Sequence, residues 1–315
     1  MLNRRHLRIK VLQALYAYYQ SEGEDYNKVE KELLSSIERI YDLYLYLLQT
    51  FAELKHIAER RIEENKKKIR PTEEDMHPNR KFVDNAIITI LENHKDLKEL
   101  STQHKVNWIG DESQEMFRKM YFHIRESEVF DLFMNNEESG FEEDRAFMLE
   151  LFKTEIANFP LLYNFFEEKS IYWMDDIDLA CSMVVKTIKQ FEENGENEIL
   201  PLHKDKADEL YFVKELMRKT VEKDEENEKI IDELTNNWEL DRIAKMDVIL
   251  MKMAITELQV FNEIPTKVTL NEYIEISKFY STPKSNGFIN GVLDKGIDRL
   301  TKEGKINKVG RGLIN

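Results

Sequence analysis

Ten glycines and six prolines in 315 residues leave this chain few places to break a helix. Between those breakers, apolar residues recur every three to four positions, the spacing of a helix with one buried face. Leu, Ile, Glu and Lys dominate, and charged residues make up 34%. Such a chain is expected to be all-α, and its length suffices for one or two sizeable cores. No run of about 18 uncharged apolar residues occurs, so no membrane span is expected. Arg4 and Arg5 lead into Tyr16 and Tyr18-Tyr19-Gln20 rather than an apolar run with a cleavage site, so no signal peptide is expected. The single cysteine, Cys181, excludes an internal disulfide framework and fits a reducing cytoplasm.

The net charge of −15 argues against a generic nucleic-acid binder. Its distribution points the other way at two places. Residues 1–10 carry Arg4, Arg5, Arg8 and Lys10 and no acid, and residues 302–315 carry Lys302, Lys305, Lys308 and Arg311 against Glu303. An acidic body with basic ends repels phosphate broadly and admits it at a defined place. The first cations also sit on the opening turns of a predicted helix over 4–20, where the macrodipole disfavours positive charge by roughly 0.3–1 kcal/mol each. Selection for stability alone would favour Asp or Glu there, so an anionic partner is expected.

The first helix buries Leu7, Val11, Ala14, Leu15 and Tyr18 and stops at Ser21-Glu22-Gly23-Glu24-Asp25. A long second helix is predicted from Val29 to Lys68, with Leu33, Ile37, Ile40, Tyr41, Tyr44, Leu47 and Leu48 inward. Lys66-Lys67-Lys68 suits its C-terminal dipole. Arg70-Pro71 through His77-Pro78 reads as an exposed linker, followed by helix from Lys81 to Leu100. Residues 144–193 read as a degenerate repeat of 209–258 at an offset of 65. Phe147 meets Phe212, Leu151 meets Leu216, Trp173 meets Trp238 and Asp176 meets Asp241. The polar stretch 192–198 between the copies reads as a mobile connector. Further helices are predicted over Lys206–Glu222, Glu226–Leu234 and from Asp241 onward. Thr269 and Glu272 have the spacing of a capping box, and Ser285 is placed to cap a last helix with Ile289, Val292, Leu293, Gly296 and Leu300 inward.

No catalytic constellation is visible, and no cofactor or metal is expected. The glycines are scattered, no Gly-x-Ser-x-Gly elbow occurs, and Cys181 has no histidine nearby in sequence. Glu53 and His56 form a lone Glu-x-x-His pair, whereas a carboxylate-bridged di-iron bundle needs two pairs and two further glutamates. The basic start reads better as RNA-binding. Arg4 and Arg8 lie one turn apart with Arg5 beside them, and arginine forks bind phosphate and stack on bases. Unpaired RNA also needs an aromatic platform. Phe288 is a candidate, at the edge of its helix's apolar stripe, although an ordinary core position fits it equally. Lys284 adds charge just before it.

Arg4-Arg5-His6-Leu7-Arg8, then Gln13-Ala14-Leu15-Tyr16, then Asp247-Val248-Ile249-Leu250 through Glu257-Leu258, Pro265, Asn271-Glu272 and Phe288 through Asp294 occur in the order found in the NusB family of transcription antitermination factors, which the chain resembles. The resemblance covers residues 1–20 and about 208–296. It implies packed helical bundles, with residues 1–22 as an arginine-rich helix of the core, 206–301 as the C-terminal bundle, 23–205 as an inserted helical region and 302–315 as a disordered basic tail. It implies binding of boxA-like single-stranded RNA together with the ribosomal protein NusE, in a complex with other Nus factors and RNA polymerase that supports rRNA transcription. By matching position, Arg4, Arg5, His6, Arg8, Lys284 and Phe288 would contact RNA, with Lys10 adding to the basic start, and Asp247 would face NusE. An acid suits a basic ribosomal partner. Two other readings stand beside this one. A protein-only adaptor would keep the fold and bind NusE-like partners without RNA. An RNA methyltransferase would need an alternating strand pattern and a Gly-rich cofactor loop, which this sequence lacks.

Overall fold

The Asn3 side chain accepts the His6 N–H at 3.0 Å, and behind that cap α1 runs over Arg4–Gln20. The structure, a computed structural model, describes residues 1–21, 25–235 and 243–313. Part of the first expected break (Glu22, Gly23, Glu24) and the repeat positions Trp238 and Asp241 lie outside the described residues. Among the described residues fourteen further α-helices follow: α2 (Tyr26–Lys66), α3 (Glu73–Met76), α4 (Ala86–Asn93), α5 (Lys95–His104), α6 (Asp111–Arg125), α7 (Glu128–Asn135), α8 (Phe141–Leu151), α9 (Pro160–Lys169), α10 (Ile177–Gln190), α11 (Lys206–Glu222), α12 (Asp224–Leu234), α13 (Lys245–Val260), α14 (Thr266–Tyr280) and α15 (Ser285–Lys302). No strand occurs among the described residues, so the protein is all-α.

The chain divides into two compact units, one of Glu38–Leu202 with Met1, the other of Leu2–Ile37 with His203–Asn315. The first is built on the later turns of α2, which are apolar on nearly every side. Ile40, Leu43, Tyr44, Leu45, Leu47, Leu48 and Phe51 are all buried there. Its aromatic core satisfies its polar edges: Trp108 Nε1 donates to the Tyr46 carbonyl at 3.1 Å and Trp173 Nε1 to the Arg39 carbonyl at 2.9 Å. The helix expected over 81–100 is two, because His94 leaves helical geometry and its Nδ1 accepts from the Leu97 N–H to start α5. The expected linker 70–78 contains one short turn, α3, closed by a capping box between Thr72 and Asp75. The connector 192–198 is folded on itself: Asn197, at φ +54°, bonds the backbone of Glu192 with both ends of its amide.

In the second unit α13 is the central helix. From Ile249 to Leu258 it is buried on every face, which is why its hydrophobic pattern lacks a polar side. It packs on α1, α11, α12, α14 and α15. Buried polar residues on such a helix must be paired. Lys252 accordingly meets Asp224 at 2.8 Å and Glu228 at 2.7 Å, and Asn227 bonds Thr256 at 2.9 Å. The α15 stripe of Ile289, Val292, Leu293, Gly296 and Leu300 is buried as expected.

Two expected caps and the expected tail differ. Helix α14 starts at Thr266 behind Pro265, so Thr269 and Glu272 lie inside its first turns and their side chains go elsewhere. Lys284 occupies the cap position of α15 without a side-chain bond, and Ser285 turns its hydroxyl to Asp247. The tail, expected to be disordered, returns across the unit: Lys308 Nζ donates to the Phe261 carbonyl, and the Val309 N–H to the Asn262 carbonyl, both at 3.0 Å.

Candidate nucleic-acid interface

The opening turns of α1 bring three arginines against three separate elements. Arg8 lies on the buried stripe of α1, in line with Leu12 and Leu15, and is 1% exposed. It makes a bidentate pair with Glu257 of α13, Nε at 2.8 Å and Nη2 at 2.7 Å. Glu257 is fully buried and also accepts the Thr269 hydroxyl at 2.8 Å and the Tyr273 hydroxyl at 3.0 Å, so both carboxylate oxygens are saturated. Burial opposes the charge on Arg8, but the attraction and hydrogen bonds of Glu257 outweigh it and hold the guanidinium ionised. Burial likewise keeps the Tyr273 phenol protonated far above its ordinary range.

Arg5 forks onto Glu272 of α14 with both bonds at 2.9 Å, and that bond raises its pKa. Arg4 reaches Asp208 of α11 at 2.6 Å and lies 4.1 Å over the Phe212 ring. These side chains open on a cleft of about 700 Å³ lined by Asn3, Arg4, Arg5, Arg8, Ile264, Pro265, Val268 and Arg311, with Glu263 and Glu272 as its acids. His6 is half-buried and Lys10 is buried. The expectation that the whole basic run faces a ligand therefore needs correction. Arg4 and Arg5 retain exposed surface, whereas Arg8 and Lys10 are turned into the bundle.

Lys284 and Phe288 are not part of that cleft. Gln20 at the end of α1 accepts from Lys245 at the start of α13, and Asp247 holds both Ser281 after α14 and Ser285 on α15. The end of α1, the start of α13 and the corner between α14 and α15 thus share one end of the unit, opposite Arg5 and Glu272. Lys284 is exposed there and Phe288 half-buried. Asp247, expected at a protein-facing surface, is 4% exposed, and its oxygens are taken by two serine hydroxyls.

One aromatic was missed by the sequence reading. Phe279 is 81% exposed on α14, seven residues from Glu272 on the same face, or about 10 Å along the helix toward Lys284. Its neighbours Tyr273, Ile276 and Ser277 are buried, so the helical register alone marks it as outward.

Elsewhere, burial and Asp178 push the Cys181 thiol up to about 12, which leaves no reactive thiolate at neutral pH. Glu53 takes a bond from Gln114, His56 meets Glu92, and no group of three metal-ligating side chains occurs among the described residues.

Comparison with known proteins places these residues. The NusB family model matches residues 178–298, which include Asp247, Glu257, Phe279, Lys284 and Phe288 but not the arginines of α1. The chain is 48% identical over 103 residues to the transcription antitermination protein NusB of Salinibacter ruber, a third (33%) of this chain and 64% of that protein. It is 38% identical over 104 residues to the protein of that name from Chloroherpeton thalassium, covering 49% of it. The chain thus spans between about half and two thirds of the length of these two relatives. No solved structure is a significant match. A third relative, the NusB protein of Natranaerobius thermophilus, is 32% identical over 113 residues, and because 81% of its length is covered, the chain belongs to the NusB family.

Proposed function

We propose that the chain is a non-catalytic transcription antitermination factor that binds boxA-like single-stranded RNA jointly with the ribosomal protein NusE, in a cytoplasmic complex with other Nus factors and RNA polymerase that supports rRNA transcription. The observation that carries this reading is the cleft where Arg4 and Arg5 converge with Arg311. Arginine forks recognise phosphate bidentately, and such contacts dominate affinity for nucleic acid. From that cleft the strand runs along α14. It passes Phe279, whose exposed ring suits base stacking, and reaches Lys284 and Phe288 at the far end. Arg4, Arg5, His6 and Lys284 contact the strand directly. Arg8 and Lys10 act from within, fixing the angle of α1. Asp247 acts through the corner it fastens, so that the surface around it, rather than its own carboxylate, meets NusE. The inserted region 23–205 serves as scaffold.

A specific observation favours the second reading, a protein-only adaptor. Arg4, Arg5 and Arg8 each carry a carboxylate partner, so RNA must displace Asp208 and Glu272 to use the two exposed forks. A fluorescence-anisotropy titration of boxA-like against scrambled RNA, with and without the NusE homologue and at two salt concentrations, separates the two. Tighter binding to the boxA-like strand, strengthened by NusE, supports RNA recognition. NusE binding with no RNA preference supports the adaptor.

A further inference from the structure

We propose that the C-terminal strap, residues 305–313, supplies the cleft with a fourth arginine, Arg311, that takes a phosphate of the bound RNA. This rests on the RNA-binding reading above and extends it to a segment outside the family match, which ends at residue 298.

Three observations place Arg311 there. The strap is fastened along the loop that joins α13 to α14: Lys308 holds the Phe261 carbonyl and the Val309 N–H holds the Asn262 carbonyl. One short turn, Gly310–Leu313, then carries Arg311 to the wall of the cleft beside Arg4 and Arg5. Gly312 makes the seating specific. A Cβ at that position would stand 2.1 Å from the Asn262 carbonyl oxygen, a backbone atom that cannot step aside. The strap is therefore seated by a contact that only glycine permits.

The charge argument follows. Arg4, Arg5 and Arg8 are paired with Asp208, Glu272 and Glu257. Among the described residues Arg311 forms no ion pair, although it lines the same cleft as those three. A phosphate entering here meets Arg311 with no carboxylate to displace, so this side chain makes the first contact and Arg5 and Arg4 exchange partners afterward.

The experiment compares salt dependence of binding to a labelled boxA-like RNA for the unaltered protein, Arg311→Gln, Gly312→Ala and Lys302→Gln. Lys302 is an exposed cation at the end of α15 and controls for net charge. Loss of one phosphate contact on a single strand lowers the log–log salt slope by about 0.7, which is about fivefold weaker binding at 0.1 M salt once the curves are matched at 1 M. Arg311→Gln and Gly312→Ala are expected to show that drop, with Lys302→Gln close to the unaltered protein. An unchanged slope in Arg311→Gln overturns the proposal, as does an equal drop in Lys302→Gln. Should Gly312→Ala lose its helical signal, Arg311→Gln decides alone. If the unaltered protein binds no RNA, the functional reading fails and this proposal with it, an outcome distinct from RNA binding that ignores Arg311.

Discussion

Arg8 and Glu257 meet across 249 residues of sequence in a buried bidentate pair, the guanidinium 1% exposed and the carboxylate 0%. Removing one partner of such a pair strands the other charge, at a cost of about 3–5 kcal/mol. Glu257→Ala is therefore expected to lower unfolding free energy in urea by about that amount. The double variant Arg8→Met/Glu257→Leu should recover part of it, since only the Thr269 and Tyr273 hydroxyls then lose their acceptor. A single variant as stable as the unaltered protein would mean that water reaches this pair.

On the RNA-binding reading, Glu272, the partner of Arg5, competes with phosphate for it. Glu272→Gln keeps the shape of the side chain and removes its charge. RNA affinity is expected to rise about 1.5- to 5-fold, the range set by an exposed ion pair of about 0.2–1 kcal/mol. Under the adaptor reading the substitution leaves RNA binding flat.

The exposed ring of Phe279 contributes little to the core, so Phe279→Ala should leave the thermal midpoint in place. If a base stacks on it, RNA binding weakens by about 1–3 kcal/mol. The comparison of calorimetry with anisotropy separates the two effects.

Alkali should unfold this protein more readily than its ion pairs suggest. Burial raises the phenols of Tyr19, Tyr26, Tyr44 and Tyr273 above their ordinary value of 10, and burial with Asp96 nearby pushes Tyr41 up to about 12. Above pH 10 the unfolded chain loses these protons while the folded chain keeps them. The folded state then binds more protons, and stability falls as pH rises. A tyrosinate absorbance titration is expected to show only part of the 13 tyrosines ionising near pH 10, with the remainder appearing together at the unfolding transition.

Much of the fold was legible because it depends on local spacing. The bounds of α1 and α11 and the inward stripes of α2 and α15 follow from helical periodicity. The site was harder for a physical reason. Thr269 and Glu272 have capping-box spacing, but Pro265 starts α14 earlier, and Glu257 and Arg5 then claim the two side chains. The basic run reads as one exposed patch until a carboxylate on α13 takes Arg8 inward. The alignment of Arg8 with Leu12 and Leu15 carried that signal, but periodicity does not name a partner so far along the chain. The strap was equally hidden, since its anchors are carbonyl groups of the α13–α14 loop and no side-chain pattern encodes them.

The distance between Arg8 and Glu257 along the chain also has a meaning in time. At about 5–20 residues per second, 249 residues take on the order of 10–50 s to synthesise. Until Asp208 is made, Arg4, Arg5 and Arg8 belong to a nascent basic segment none of whose acidic partners yet exists, and Arg5 and Arg8 wait longer still. The unit of Glu38–Leu202 is complete before Asp208, Glu257 and Glu272 emerge. Helix α1 thus leaves the ribosome well before the residues that seat it, and a chain stalled before Asp208 carries Arg4, Arg5 and Arg8 unneutralised.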